Sequence, residues 1–407
     1  MRIAPTKLRG RLPFHAIAGL VLLLAAPAVA EPGPACGDIV AQLGDDAGPY
    51  FLASYPTAAV GPLHGAAFTY DNALAAIALL GCGDQRAARR IGDALLAALD
   101  RDRYWHDGRL RNAYAAGPVA AGPVKLAGWW DAKTNRWLED RYQAGSDTGN
   151  MAWAMLALLA LDQAGAGSAY RAGAVRIGEW AAGRRDRRGP GGFTGGTFGH
   201  EPKPEDIAWK STEHNADLAA AFRRLANATG DQRWRDLSDA AGRFVAAMWD
   251  GGCGCFAAGT GDDGATRNPT LALDAQILPL LALPGMVLSQ SSAFATAEDR
   301  LRHGPGFAYA LPATAIWTEG TAQASLFADL AGRKPEAQAL LATAEADHAP
   351  GGGYFATDAA DLPTGFGDPT DLTKPRLYFH LPHLAATAWV ALAERGLNPF
   401  TGRPALP

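Results

Sequence analysis

Six times along the chain, a short polar or aromatic motif opens directly into a run that is apolar almost all the way round. The runs are residues 73–80, 151–161, 218–225, 277–283, 324–330 and 384–392. A helix that is apolar on every side has to be buried. Five of the runs are followed by an amphipathic stretch: 85–99, 170–182, 231–249, 292–301 and 335–346. In the first of these, Arg86, Arg89 and Arg90 mark the wet side. The unit restarts every 45 to 80 residues or so, longer than a short solenoid repeat, and its opening motif changes each time. The pattern predicts an all-α chain folded as an (α/α)6 toroid, six inner and six outer helices with short β-hairpin inserts. A helix over 36–55 supplies the last outer member. An irregular helical bundle and an open helical solenoid are the competing architectures.

The opening motifs carry the chemistry. They include Tyr70-Asp71-Asn72, Asp147-Thr148-Gly149-Asn150, Ser211-Thr212-Glu213-His214-Asn215-Ala216-Asp217, Asp274-Ala275-Gln276, Trp317-Thr318-Glu319-Gly320-Thr321-Ala322-Gln323 and Tyr378-Phe379-His380-Leu381-Pro382-His383. Ser211 or Thr212 suits an N-cap, and acids suit a first helical turn. In a parallel ring of inner helices, equivalent ends converge. Asp71, Asp147, Glu213, Asp274 and Glu319 are therefore expected to face one cavity. Carboxyl groups crowded in a dry cleft push one another's pKa values apart. That separation is what a general acid beside a general base requires. Glycoside hydrolysis with inversion uses such a pair about 6.5–9.5 Å apart.

Each residue also has a plainer role. Glu213 and Glu319 could complement helix dipoles, Asp71 could cap, Asp274 could brace a hairpin, and His214 could only orient Glu213. His380 and His383, which bracket Pro382, read as loop hydrogen-bonders rather than ligands. The repetition of the set is what raises it above these roles. Eleven tryptophans add indole faces, which suit the C–H faces of sugar rings. Trp129, Trp130, Trp153, Trp209 and Trp317 fall in or beside the predicted mouth, whereas Trp180, Trp234, Trp249 and Trp389 read as packing. The inserts at 102–144, 189–210 and 250–268 are where function should concentrate. None has the spacing of a phosphate-cradling loop.

The stretches Tyr70-Asp71-Asn72-Ala73-Leu74-Ala75, Ser211-Thr212-Glu213-His214-Asn215 and Trp317-Thr318-Glu319-Gly320-Thr321-Ala322-Gln323 resemble motifs of the six-hairpin glycosidase-like superfamily, especially its bacterial exported members. The resemblance covers most of the chain after residue 30 and implies carbohydrate handling on this barrel. Members include inverting endoglucanases, glucoamylases, unsaturated glucuronyl hydrolases, sugar epimerases and polysaccharide lyases, so the reaction does not follow from the fold. The expectation is an inverting hydrolase of a glucan-type polysaccharide or oligosaccharide. Glu213 acts as acid, and Asp71 or Glu319 activates water. Tyr70, Trp129, Trp130, Asp147, Asn150, Trp153, Trp209, His214, Asn215, Asp274, Trp317, Gln323 and Tyr378 bind sugar. A lyase or epimerase, with Tyr378 or His380 as base and Arg376 neutralising a uronate, is one alternative. A non-catalytic carbohydrate-binding or exopolysaccharide-assembly protein is another.

The remaining features concern compartment and partners. Arg2, Lys7, Arg9 and Arg11 precede a mostly apolar run and the small-residue site Ala28-Val29-Ala30, the pattern of a signal peptide over residues 1–30 cleaved after Ala30. The single barrel then spans 31–407, periplasmic or secreted, with no membrane attachment after cleavage. The net charge of −4 excludes a nucleic-acid footprint. Four cysteines in an exported chain suggest disulfides. Cys36 and Cys82 could tie the N-terminal helix to the first inner helix, and Cys253 and Cys255 could form a strained local bridge or, alternatively, hold a metal. No cofactor is called for, and a monomer is expected.

Overall fold

Uniformly apolar helices can only be accommodated by surrounding them, and the computed structural model does so in a closed ring. It describes residues 1, 4, 34–45, 47–368 and 371–407. The leader read over 1–30 and its cleavage point lie, Met1 and Ala4 apart, outside the described residues. Fourteen helices are described: α1 (Pro34–Ala41), α2 (Thr69–Gly81), α3 (Gln85–Arg101), α4 (Arg141–Ala144), α5 (Thr148–Gln163), α6 (Ser168–Ala182), α7 (Thr212–Thr229), α8 (Gln232–Ala247), α9 (Leu273–Ala282), α10 (Met286–Gln290), α11 (Ser292–Arg300), α12 (Thr318–Leu330), α13 (Lys334–Ala346) and α14 (Leu384–Glu394). Helices α2, α5, α7, α9, α12 and α14 are the inner six, and each packs on the next until α14 meets α2 again. Around them α3, α6, α8, α11 and α13 each cover the inner helix that precedes them, and α1 covers α14.

Backbone hydrogen bonds show that the ring is closed. The first residue of each inner helix donates its N–H to the strand or loop that leads into the next one. The six bonds are Thr69 to Asn112, Thr148 to Gly195, Thr212 to Ala258, Leu273 to Tyr309, Thr318 to Ala356 and Leu384 to Ser54, at 2.8–3.1 Å. The last of these returns to the loop before α2. They satisfy N–H groups that a helix start leaves unpartnered.

The fourth residue of each inner helix repeats a second device. Asn72, Asn215 and Gln276 accept from the N–H of Leu52, Phe193 and Phe256 through side-chain oxygens at 2.8–2.9 Å. Their amide nitrogens donate back to the same residues' carbonyls. Thr321 and Thr387 accept from Phe307 and Tyr354 at 3.1 and 3.0 Å. In α5 the fourth residue is Met151, whose Sδ takes the N–H of Leu110 at 3.3 Å. A buried connecting strand keeps its polar groups partnered in this way.

Two features depart from or settle the reading of the sequence. The helix expected over 36–55 stops at Ala41. Gly44, Gly48 and Pro49 intervene, and Tyr50–Phe51 pairs as a strand with Gly117–Pro118. The Cys253–Cys255 pair is a disulfide, not a metal site. Cys36 is joined to Cys82. Short strand pairs decorate the inner-helix N-terminal end, the longest being the hairpin Leu362–Asp368 with Asp371–Tyr378 between α13 and α14. Among the described residues no helix is long and apolar enough to cross a membrane.

Candidate active site

Helical spacing turns the opening motifs into stacked layers. The second residues of the inner helices are Tyr70, Gly149, Glu213, Asp274, Glu319 and Ala385, and the sixth residues are Leu74, Trp153, Asp217, Leu278, Gln323 and Trp389. Residues four apart lie one above the other on a helix. The second residues therefore ring the mouth and the sixth residues form its floor. Tyr70 and Glu213 lie deep in the barrel but keep part of their surface accessible, as groups lining a hollow do.

The two layers are hydrogen-bonded into one unit. Tyr70 donates its hydroxyl to Glu319 Oε1 at 2.5 Å and accepts from Trp389 Nε1 at 2.8 Å. Gln323 Nε2 reaches the same carboxyl oxygen at 3.4 Å. Trp153 Nε1 donates to Asp217 Oδ2 at 3.0 Å, and the Trp153 and Trp389 rings meet edge to face at 5.8 Å. The two indoles thus pack together beneath the layer of second residues.

His383, the residue before α14, stands between two acids. Its Nε2 lies 3.2 Å from Asp71 Oδ2 and its Nδ1 3.9 Å from Glu319 Oε2. The imidazole stacks on Tyr55 at 4.5 Å. Burial opposes a charge on it, but the Asp71 and Glu319 carboxylates outweigh burial and raise its pKa. Glu319 is lifted to about 7 by burial, against the pull of His383 and the Tyr70 hydrogen bond.

A second carboxyl pair faces this one. Burial, and then the charges of Asp274, Asp217 and Glu319, push Glu213 well above the carboxylate range, and a hydrogen bond to Asp274 adds to the rise. Tyr309 donates to Asp274 Oδ2 at 2.9 Å, which marks Asp274 as the accepting member. Burial also drives Asp217 well up, against the Trp153 bond. His214 is pushed down to about 4 by burial and by the Arg376 charge, so it is neutral. Its ring lies over Gly149, where a Cβ would stand 2.5 Å from His214 Cδ2. Only a residue without a side chain fits there.

The rim is aromatic and carries one guanidinium. Trp317 is buried against Tyr309 at 4.8 Å and Tyr378 at 5.5 Å. Trp209 tilts over His214 at 5.6 Å. Arg376, on the long hairpin, is exposed and places its Cζ 5.1 Å from the Tyr142 ring centroid. Tyr142 also reaches Asp147, which burial lifts to about 6.

Most of the residues singled out in the sequence gather here: Asp71, Glu213 and Glu319, with Tyr70, Asp147, Trp153, Trp209, His214, Asp274, Trp317, Gln323 and Tyr378. Asn150 is buried beside them and donates to Asn112 Oδ1 at 2.6 Å. Asn215 is fully buried and its amide is taken up by Phe193 and Ser211, so it braces the loop instead of facing the well. Trp129 and Trp130 sit on a hairpin outside the cluster. His380 binds the Thr357 carbonyl at 2.6 Å. His383 reads in the sequence as a loop hydrogen-bonder, yet it is a central group here. Asp217 carries a signal that was open to reading, its four-residue spacing from Glu213. Tyr55, Tyr142 and Tyr309 arrive from loops that carry no such signal.

No family model and no curated protein matches the chain. Solved structures do. A glycosidase superposes with a TM-score of 0.59 at 15% identity, covering 89% of this chain and 94% of that one. An alpha-amylase from Clostridium perfringens gives 0.60 at 10%, covering 92% and 99%. A cellobiose 2-epimerase from Bacillus thermoamylovorans gives 0.60 at 9%, covering 88% and 95%. The chain shares the (α/α)6-barrel fold of these solved structures.

Proposed function

We propose that this chain is an exported glycoside hydrolase that cleaves a glucan-type polysaccharide or oligosaccharide with inversion. The carrying observation is the asymmetry of the two carboxyl pairs. Glu213 holds a proton against Asp274, whereas Asp71 Oδ2 has, among the described residues, only the His383 imidazole beside it. Glu213 donates its proton to the glycosidic oxygen as the bond breaks. Asp71 accepts a proton from the water that attacks the anomeric carbon on the opposite face. Glu319, tied to Tyr70 and Gln323, carries hydroxyl contacts and shares the charge on His383. The fold likeness to a glycosidase and an alpha-amylase supports this reading.

An epimerase is the second reading, favoured by the two histidines. Neutral His214 and charge-prone His383 belong to different sectors of one well, as a base that removes a proton and an acid that returns it require. The likeness to cellobiose 2-epimerases accords with it. The deciding experiment incubates the chain from residue 31 with a panel of glucans and cello-oligosaccharides in D2O. New reducing ends, released with the inverted anomer, support the hydrolase. Deuterium entering C2 of an unshortened sugar overturns it in favour of the epimerase.

A further inference from the structure

The hairpin formed by Trp129–Asp131 and Arg136–Leu138 pairs Trp130 directly with Trp137. Directly opposed residues of an antiparallel pair share one face, with Cβ atoms about 5 Å apart. Both indoles are open to solvent, at 57% and 58% exposure. The hairpin holds them firmly. Asp131 accepts from the N–H groups of Lys133 and Thr134 at 3.3 and 3.1 Å. Trp137 lies on the backbone of Gly128, where a Cβ would stand 2.5 Å from its Nε1. One side of that indole is therefore covered while the other is presented.

Beside Trp137 is a surface hollow of about 270 Å³, lined also by Arg103, Val124, Lys125, Leu126 and Glu139. Arg103 and Glu139 are fixed in a two-bonded pair at 2.7 Å. The hairpin runs on into α4, whose Tyr142 reaches Asp147 at the mouth of the well.

We infer that Trp130, Trp137 and this hollow form a second carbohydrate-binding platform, outside the well, that holds a neutral polysaccharide chain by stacking on its pyranose rings. The inference rests on the carbohydrate reading above. Paired indole faces match the C–H faces of neighbouring sugar units, and the fixed Arg103–Glu139 pair offers donors and acceptors to hydroxyls. The hollow carries both signs of charge, so it presents no field selective for a polyanion. Two indoles offer about 500 Å² at most, short of the roughly 800 Å² that each partner of a stable dimer buries. Self-association is therefore not the use of this face.

The test is affinity electrophoresis of the chain from residue 31 in gels containing barley β-glucan, xylan or soluble starch, alongside reducing-end assays on the same polymers. The wild type is expected to be retarded on at least one polymer. W130A/W137A should weaken that retardation about tenfold or more, W130F/W137F should keep most of it, and E213Q should keep all of it. Melting curves on each variant separate loss of the platform from loss of the fold. Retardation that survives W130A/W137A, no retardation of an actively hydrolysing wild type, or a wild-type dimer dissolved by W130A/W137A would each overturn the platform and leave the hydrolase standing. Tryptophan-dependent retardation without new reducing ends would uphold the platform and overturn the hydrolase.

Discussion

Tyr70 and Glu319 stand 249 residues apart in the chain, yet the phenol donates to the carboxyl at 2.5 Å. Both are second residues of inner helices, α2 and α12, that flank α14 in the ring, so this bond exists only because the ring turns those positions toward one centre. It lowers the Glu319 pKa against the upward pull of burial. Removing it in Tyr70→Phe should move the Glu319 pKa further above about 7. Because Glu319 holds substrate hydroxyls, the limb of the kcat/KM pH profile that reports its ionisation should shift to higher pH. An unmoved profile would uncouple Tyr70 from the titrating group.

Glu213→Gln removes a transferable proton while keeping a donor toward Asp274. Turnover should fall by about 10²–10⁴, the usual contribution of a general acid. Stability should match wild type near pH 4 and exceed it at neutral pH, because Glu213 stays protonated in the native well but ionises in the unfolded chain. Reducing-end assays and thermal melts on the same preparation check both halves. Turnover close to wild type excludes Glu213 as the acid.

Glu319 couples stability to pH with a definite sign. Its folded pKa of about 7 lies above the unfolded value, so the native state binds more protons between them. Its contribution to stability is therefore unchanged below about pH 4 and falls as pH rises toward 7. Glu319→Gln should be more stable than wild type at pH 8, by about 3 kcal/mol at most, and equal to it near pH 4. His383 works in the same direction. Its raised pKa gives stability that is fully present at acid pH and is lost as pH rises through the folded value. Melting temperatures across this range decide the matter, and a gain for Glu319→Gln confined to acid pH would reverse the assignment.

The Cys36–Cys82 bridge spans 46 residues, and the chain-entropy relation gives about 4 kcal/mol for a loop of that size. C36S/C82S should lose stability of that order. The Cys253–Cys255 bridge spans 2 residues and constrains little of the unfolded chain, so C253S/C255S should melt close to wild type. Denaturant midpoints of the two double variants, compared under oxidising conditions, test the contrast.

The architecture was legible because burial on all sides leaves a plain mark on composition. Six runs without a wet face admit few arrangements, and the motifs before them fall at one end. The acids Asp71, Glu213, Asp274 and Glu319 were legible for the same reason. His383 was not, since a histidine after a proline in a loop looks like any other loop histidine. Its importance comes from Asp71, brought in by another helix. Asn215 failed in the opposite way. It stands in the most polar motif, but at the fourth helical position, where a side chain ties down the incoming strand.

The bond from Leu384 N–H to the Ser54 carbonyl makes the join between the last inner helix and the first loop equivalent to the other five. A wheel of this kind has no privileged spoke at which it begins. Linking the chain's extremities and opening it instead at an outer turn, such as the one at Gly230, should leave the acids at the hub in their places.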